Sequence, residues 1–284
     1  MRYDCIIIGS GPAGLSAAIN LKTYNKSFLW FGNAGMSDKV RKAEKVVNYP
    51  GLSAVSGEEL LQAFEAHKES QELEIVDKIV SSIYDMGGYY TVMAENEFFE
   101  TETILLATGV VAANQYAGEA AFLGRGVSYC ATCDGALYKG KTIAVVSTAK
   151  RFEHEIAFLA DLAEKVYLFP YYKDCEIHKE NVEFVKKPIK EIKGGFRVEE
   201  LVIGADELLK VDGVFVMRNA IAPTTLLNTL EVEDGHIKVN RQLETNKKGV
   251  FAAGDCTGKP YQYAKAVGEG NVAAHSVIEY LGEK

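Results

Sequence analysis

The chain opens on a short unbroken apolar run, Cys5-Ile6-Ile7-Ile8, the pattern of a strand buried on both faces of a parallel sheet. Gly9-Ser10-Gly11-Pro12-Ala13-Gly14 follows at once. Beyond it a helical pattern runs through about Leu21, with Leu15, Ala18, Ile19 and Lys22 on one face. Ser27-Phe28-Leu29-Trp30-Phe31 reads as a second strand and completes a βαβ unit. The same architecture returns mid-chain, where Thr142-Ile143-Ala144-Val145-Val146 precedes a helix around Glu153 to Leu162 and a strand at Val166 to Phe169. Gly249-Val250-Phe251-Ala252-Ala253-Gly254-Asp255 predicts a further buried strand ending in a turn, before a small-residue helix from about Tyr263 to Leu281. The repeat predicts an α/β fold of two Rossmann-like, three-layer domains. Boundaries near Gly118 and Thr245 make the first domain discontinuous, residues 1–117 and 245–284, with 118–244 inserted.

Composition narrows the function. At 284 residues and 48% hydrophobic content the chain can bury two cores. A net charge of −8 disfavours nonspecific contact with nucleic acid or an anionic membrane. No apolar run approaches the roughly 20 residues of a membrane span, and the start at Met1-Arg2-Tyr3-Asp4 carries no charged leader, which predicts a cytoplasmic protein. Of five cysteines only Cys130 and Cys133 are closely spaced, so no disulfide scaffold is expected. A zinc site needs two more ligands, and neither His154 nor Cys175 stands at a ligand spacing, so no metal is expected. Cys5 reads as a small buried hydrophobe, while Cys175 and Cys256 carry no signal.

Gly9-x-Gly11-x-x-Gly14 between a strand and a helix is what pyrophosphate binding needs, since glycines let the backbone reach the phosphates at a helix N-terminus. A bare βα turn fits the same spacing. The acidic residue expected at the end of the second strand is replaced by Phe31-Gly32-Asn33, so Asn33, or backbone of Phe31 and Gly32, is expected to take its place. Cys130-Ala131-Thr132-Cys133-Asp134 can close a small disulfide ring whose thiolate exchanges with a partner disulfide. Asp134 also fits a turn or cap role.

Together, Ala107-Thr108-Gly109, the stretch Gly124 to Gly135 around the two cysteines, and Gly249 to Asp255 resemble the low-molecular-weight thioredoxin reductases, of the class II pyridine nucleotide-disulfide oxidoreductase type. Asn48-Tyr49-Pro50-Gly51 and Ser56-Gly57-Glu58-Glu59-Leu60 resemble the same family. The resemblance implies bound FAD, a homodimer and thioredoxin as partner. It implies that Asp255 meets the ribityl chain, that Gln262, Tyr263 and Ala264 lie beside the isoalloxazine where the family has Arg-Gln-Ala, and that Asn48 joins the site. It further implies that Cys133 takes electrons from the flavin, Cys130 attacks the partner, and Asp134 handles the proton.

One departure bears on the electron source. The family's second G-x-G-x-x-A loop and its His-Arg-Arg cluster for NADPH are replaced by Ser147 to Phe152 and by Pro170-Tyr171-Tyr172, which offer no bidentate charge to a phosphate. The combination resembles the clostridial ferredoxin-dependent flavin thioredoxin reductases and implies reduced ferredoxin as donor. From a ferredoxin near −400 mV to a thioredoxin near −270 mV the fall is about 130 mV, roughly 6 kcal/mol for two electrons. Candidate basic contacts for an acidic ferredoxin are Lys39, Arg41, Lys42 and Lys45, or Lys186, Lys187, Lys190 and Lys193, each of which also fits a solvated face. A reductase fed by pyridine nucleotide or another flavoprotein through a rearranged site, an oxygen-using dithiol oxidase and a noncatalytic flavin-binding protein remain as other readings.

Overall fold

The computed structural model describes residues 1–41, 43–109, 116–129, 131–218 and 223–283, the side chains of 38, 39, 132, 133 and 223 lying outside that description. The first βαβ unit is β1 (Arg2–Ile8), α1 (Pro12–Thr23) and β2 (Phe28–Phe31). Helix α2 (Gly57–Ser70) and the strands β3 (Val80–Asp85), β4 (Tyr90–Ala94) and β5 (Glu97–Leu106) follow. Next come β6 (Val127–Ser128), α3 (Ala131–Asp134), β7 (Thr142–Ser147), α4 (Glu153–Leu162), β8 (Lys165–Pro170) and β9 (Val182–Phe184). The strands β10 (Ile189–Gly194), β11 (Val198–Ile203), β12 (Glu207–Lys210) and β13 (Gly213–Met217) precede a hairpin, β14 (Val232–Glu233) and β15 (His236–Ile237). The chain ends with β16 (Val250–Ala252) and α5 (Tyr263–Gly282).

The first sheet has the order β2-β1-β5-β4-β3, with β16 pairing the second half of β5. β1, β2, β5 and β16 run parallel, and Ile8 and Ala252 both stand opposite Leu106. Their carboxyl ends therefore open on one edge. Burial on both faces explains the unbroken apolar runs: Ile6, Ile7, Leu105 and Ala252 have no solvent exposure. The second sheet, β6-β13-β7-β8-β9, is wholly parallel, and β10, β11 and β12 form a small antiparallel sheet beside it in the chain.

Two local features explain the sequence patterns. The single face read for α1 becomes burial nearly all round, because α5 packs close enough that a Cβ on Gly270 would meet the Ala13 carbonyl oxygen at 2.2 Å. Only small residues on both helices permit that approach. Ser56 to Glu59 is a capping box: the Ser56 hydroxyl accepts from the Glu59 N–H at 3.1 Å, and the Glu59 carboxylate accepts from the Ser56 N–H at 2.7 Å.

The chain divides into a discontinuous unit, Met1–Val111 with Ile221–Lys284, and a second unit, Ala112–Ala220. The first crossing thus lies near the expected Gly118, whereas the second falls well before Thr245. The cause is packing. Leu243 is buried in the first unit's core, its carbonyl accepts from the Ala252 N–H at 3.0 Å, and Glu244 bridges Phe251. The β14–β15 hairpin turns on Asp234 and Gly235, both with positive φ, an Asp-Gly signal that marks it as an ordered part of that unit.

Candidate functional site

Three turns meet at the carboxyl edge of the first sheet, the position at which open parallel sheets bind ligands. The first is Gly9 to Gly14. Gly9 has φ +120, and a Cβ there would stand 2.2 Å from the Ala107 carbonyl oxygen; one on Gly14 would stand 1.9 Å from the Gly9 carbonyl oxygen. The buried Trp30 indole donates to that same Gly9 oxygen at 2.9 Å, locking the turn from beneath. A Cβ on Gly11, by contrast, would meet nothing within 4 Å. The helix behind it begins at Pro12, with no side-chain cap and no acidic residue in its first turn. Ser10 Oγ donates to the Asn33 carbonyl at 3.0 Å, and a Cβ on Gly32 would strike Ser10, so the Phe31 to Asn33 stretch sits against this loop. The Asn33 side-chain oxygen is itself taken by the Gly35 N–H at 2.8 Å.

The second turn, Ala107-Thr108-Gly109, leaves β5. Thr108 Oγ1 is buried and, among the described residues, faces only the weakly bonding Cys256 thiol, which leaves it open to a ligand atom. The third is Gly254-Asp255, where Gly254 has φ +89 and its Cα packs toward Ala13. Sequence reasoning missed the staple that holds it. Lys265 on α5 donates to the Gly254 and Gly258 carbonyls, both at 2.8 Å, and to Thr257 Oγ1 at 3.0 Å. Glu269, one turn on, pairs with Lys265 at 3.1 Å and accepts from the Gly254 N–H and Thr257 hydroxyl at 2.8 Å. The i,i+4 spacing of Lys265 and Glu269 was the available signal. Gln262 precedes α5 and accepts from Asn48, which brings those two sequence-distant residues together; Tyr263 and Ala264 open the helix half-buried.

In the second unit, Cys130 lies outside the described residues, and Cys133 is the third residue of α3 with its side chain outside them. Asp134 closes that helix. Ser128, buried on β6 and paired in register with Phe215, donates to Asp134 Oδ2 at 2.6 Å. The strand thereby orients the carboxylate that follows Cys133 in the chain. The other cysteines are structural or peripheral. Burial pushes the Cys5 thiol up to about 12 and the Cys256 thiol up to about 11, and the Cys256 sulfhydryl donates to the Leu106 and Ala253 carbonyls. At pH 8 a thiol of pKa 12 is about 10⁻⁴ thiolate. In the folded oxidised protein iodoacetamide is therefore expected to label Cys175 and spare Cys5 and Cys256, as peptide mass spectrometry will read; comparable labelling of all three would contradict the burial.

The corresponding edge of the second sheet is built differently. After β7 the chain forms a 3₁₀ turn, Lys150–Phe152, and α4 starts with Glu153 and Glu155 in its first turn. Glu153 Oε1 accepts from the Tyr172 hydroxyl at 3.0 Å and from the Glu176 N–H at 3.1 Å. Two carboxylates thus occupy the helix start at which a pyrophosphate would need positive potential. Tyr171, the other replacement tyrosine, hydrogen-bonds Tyr116, whose hydroxyl is pushed far up by burial.

A family model described as pyridine nucleotide-disulphide oxidoreductase matches residues 3–148 and 172–270. The chain belongs to that family. It is 32% identical to the thioredoxin reductase of Bacillus subtilis (strain 168), over 99% of this chain and 95% of the relative. Among solved structures it is similar to a ferredoxin-flavin thioredoxin reductase from Clostridium acetobutylicum, with 48% identity and a TM-score of 0.91 over 100% of this chain and 99% of that one. A thioredoxin reductase from Gloeobacter violaceus matches at 25% identity and a TM-score of 0.81, over 99% and 95% of the two chains. Family members are FAD-binding flavoproteins, and FAD is the cofactor of this chain. The residues present fit it: a glycine cradle open only at Gly11, an uncapped helix start, and the buried Thr108 hydroxyl. Among the described residues no helix is long and apolar enough to cross a membrane.

Proposed function

We propose that this protein reduces the disulfide of thioredoxin, or of a thioredoxin-like protein, through Cys130 and Cys133, with electrons from reduced ferredoxin rather than from NADPH. The observation that carries the donor assignment is Glu153, the first residue of the helix at whose start a second dinucleotide would place its phosphates, its carboxylate held there by the Tyr172 hydroxyl and the Glu176 N–H. Like charges there are destabilising; Lys150 of the altered loop is already paired with Glu176 at 2.5 Å, and Pro170, Tyr171 and Tyr172 carry no positive charge in place of the lost cluster. The family match breaks between 148 and 172, the stretch that holds this altered loop and most of the altered cluster. The likeness to the ferredoxin-flavin enzyme supports the same reading.

In this proposal Gly9, Ser10, Gly11, Pro12, Ala13 and Gly14 cradle the pyrophosphate, with Phe31, Gly32 and Asn33 beside them. Ala107, Thr108, Gly109, Gly254 and Asp255 line the ribityl chain, and Asn48, Gln262, Tyr263 and Ala264 border the ring. When bound, FAD supplies the junction between one-electron donation and two-electron delivery. The chain's own residues do the rest. The Cys130 thiolate attacks one sulfur of the oxidised partner, breaking its disulfide and releasing one partner thiolate. Cys133 then displaces the second, closing the Cys130–Cys133 disulfide. Two electrons and two protons complete each turnover, with Asp134, oriented by Ser128, holding or giving a proton.

Of the two basic clusters, Lys187, Lys190 and Lys193 are paired with Glu207, Asp206 and Glu191. That weighs against the second unit as the docking face for an acidic donor; Lys39, Arg41, Lys42 and Lys45 are the face proposed instead, where Arg41 stands 3.9 Å from Glu58 and Lys42 and the Lys39 side chain lie outside the described residues. A homodimer in the cytoplasm belongs to the same proposal. The test is turnover. Purified holoprotein with reduced ferredoxin is expected to convert oxidised thioredoxin to dithiol at two ferredoxins per disulfide; no thiol release above a protein-free control would refute it.

A further inference from the structure

Glu119 is wholly buried, which is rare for a carboxylate. Arg218 grips it with both fork nitrogens, Nη1 to Oε1 at 2.9 Å and Nη2 to Oε2 at 2.8 Å. The Tyr129 hydroxyl donates to Oε1 at 2.8 Å and the Tyr116 N–H to Oε2 at 2.9 Å. The guanidinium also lies over the Tyr116 ring, 5.4 Å from its centroid. Four donors thus fill the acceptor sites of the carboxylate, the condition under which a buried ion pair is tolerated.

No step of the dithiol chemistry uses this cluster, yet it stands at a telling place. Glu119 follows the first passage of the chain between its two units, Arg218 precedes the second, and Tyr129 is the residue before Cys130. One residue further back, Ser128 is held twice, by its pairing with Phe215 and by its hydrogen bond to Asp134. The segment entering the dithiol is anchored by backbone, by Ser128 and by the buried charge.

We propose that Glu119 is a positioning residue for the redox pair: neutralised by Arg218, it holds Tyr129, the residue before Cys130, and so raises the effective concentration of one thiol toward the other. This rests on reading Cys130 and Cys133 as the redox pair. Holding one flank of a short ring limits the conformations lost on closure, and closure is correspondingly more favourable.

Equilibration of the full-length holoprotein with glutathione tests this without thioredoxin or ferredoxin. One thiolate attacks glutathione disulfide, releasing a glutathione thiolate and leaving a mixed disulfide; the second thiol displaces the other glutathione. Two electrons pass to glutathione and the protein disulfide closes. After acid quenching and alkylation, mass spectrometry gives the ratio of dithiol to disulfide. Tyr129→Phe is expected to lower the equilibrium constant for closure about tenfold, which is about 30 mV for a two-electron couple, with FAD content unchanged. Glu119→Gln is expected to lower it at least as far, and Arg218→Lys, which keeps the charge but loses the fork, by less. Tyr129→Phe decides alone if Glu119→Gln does not fold. Closure in Tyr129→Phe within twofold of the native protein would overturn the proposal and make the cluster a fold staple only. A native protein that never closes a Cys130–Cys133 disulfide would overturn the dithiol reading itself, a result distinguishable from the first.

Discussion

Cys133→Ser is expected to lower thioredoxin reduction by about 10⁴-fold or more while leaving FAD bound, because a serine hydroxyl is almost never ionised at neutral pH and cannot close a disulfide. The two single variants should also part company. In Cys133→Ser the remaining Cys130 can still attack oxidised thioredoxin, and with no neighbour to displace the partner the mixed disulfide accumulates. In Cys130→Ser it does not form. Non-reducing gel analysis after mixing with oxidised thioredoxin separates the cases. A mixed disulfide through Cys133 alone would reverse the assigned roles, and retained turnover in either variant would remove the dithiol from the mechanism.

The second large effect concerns the glycine cradle. A Cβ on Gly14 would stand 1.9 Å from the Gly9 carbonyl oxygen, so Gly14→Ala must push α1 off the turn. Its expected cost is about 1–3 kcal/mol of stability together with loss of FAD. Gly11→Ala isolates the ligand contribution. A Cβ there meets nothing in the protein within 4 Å, and Gly11 has φ −82, a conformation open to alanine. The apoprotein should keep its melting temperature, while FAD affinity falls about 100-fold, the ~2.7 kcal/mol of a displaced backbone-to-phosphate contact. Unchanged FAD affinity in Gly11→Ala would place the pyrophosphate elsewhere.

Much of the architecture is legible in the sequence because burial on both faces of a parallel sheet forces unbroken apolar runs, and both βαβ units and α5 stand where those runs predict. Family membership is legible for the same reason: backbone geometry at Gly9 and Gly14 tolerates only glycine, so the motif records a physical necessity. What sequence reasoning missed are pairings that only the tertiary structure creates. Glu119 and Arg218 lie 99 positions apart, and neither stands in a recognisable motif. The second crossing lies before Thr245 because Leu243 joins the first unit's core from an irregular stretch that carries no periodic pattern. Lys265 and Glu269 were read as part of a small-residue helix, whereas their charges tie the Asp255 turn to it. The altered loop at Ser147 to Phe152 was visible as missing glycines, but the occupation of the helix start by Glu153 needed Tyr172 and Glu176 folded against it.

In the proposed cycle this flavoprotein takes its electrons without a pyridine nucleotide. Anaerobic titration of the oxidised holoprotein, followed at the visible flavin maximum, tests it most directly. Reduced ferredoxin is expected to bleach the absorbance, whereas NADPH or NADH in large excess should leave it unchanged over the same time. Stoichiometric bleaching by NADPH would contradict the account, and would mean that the edge formed by Ser147 to Glu153 and Tyr171 holds a nucleotide despite its carboxylates.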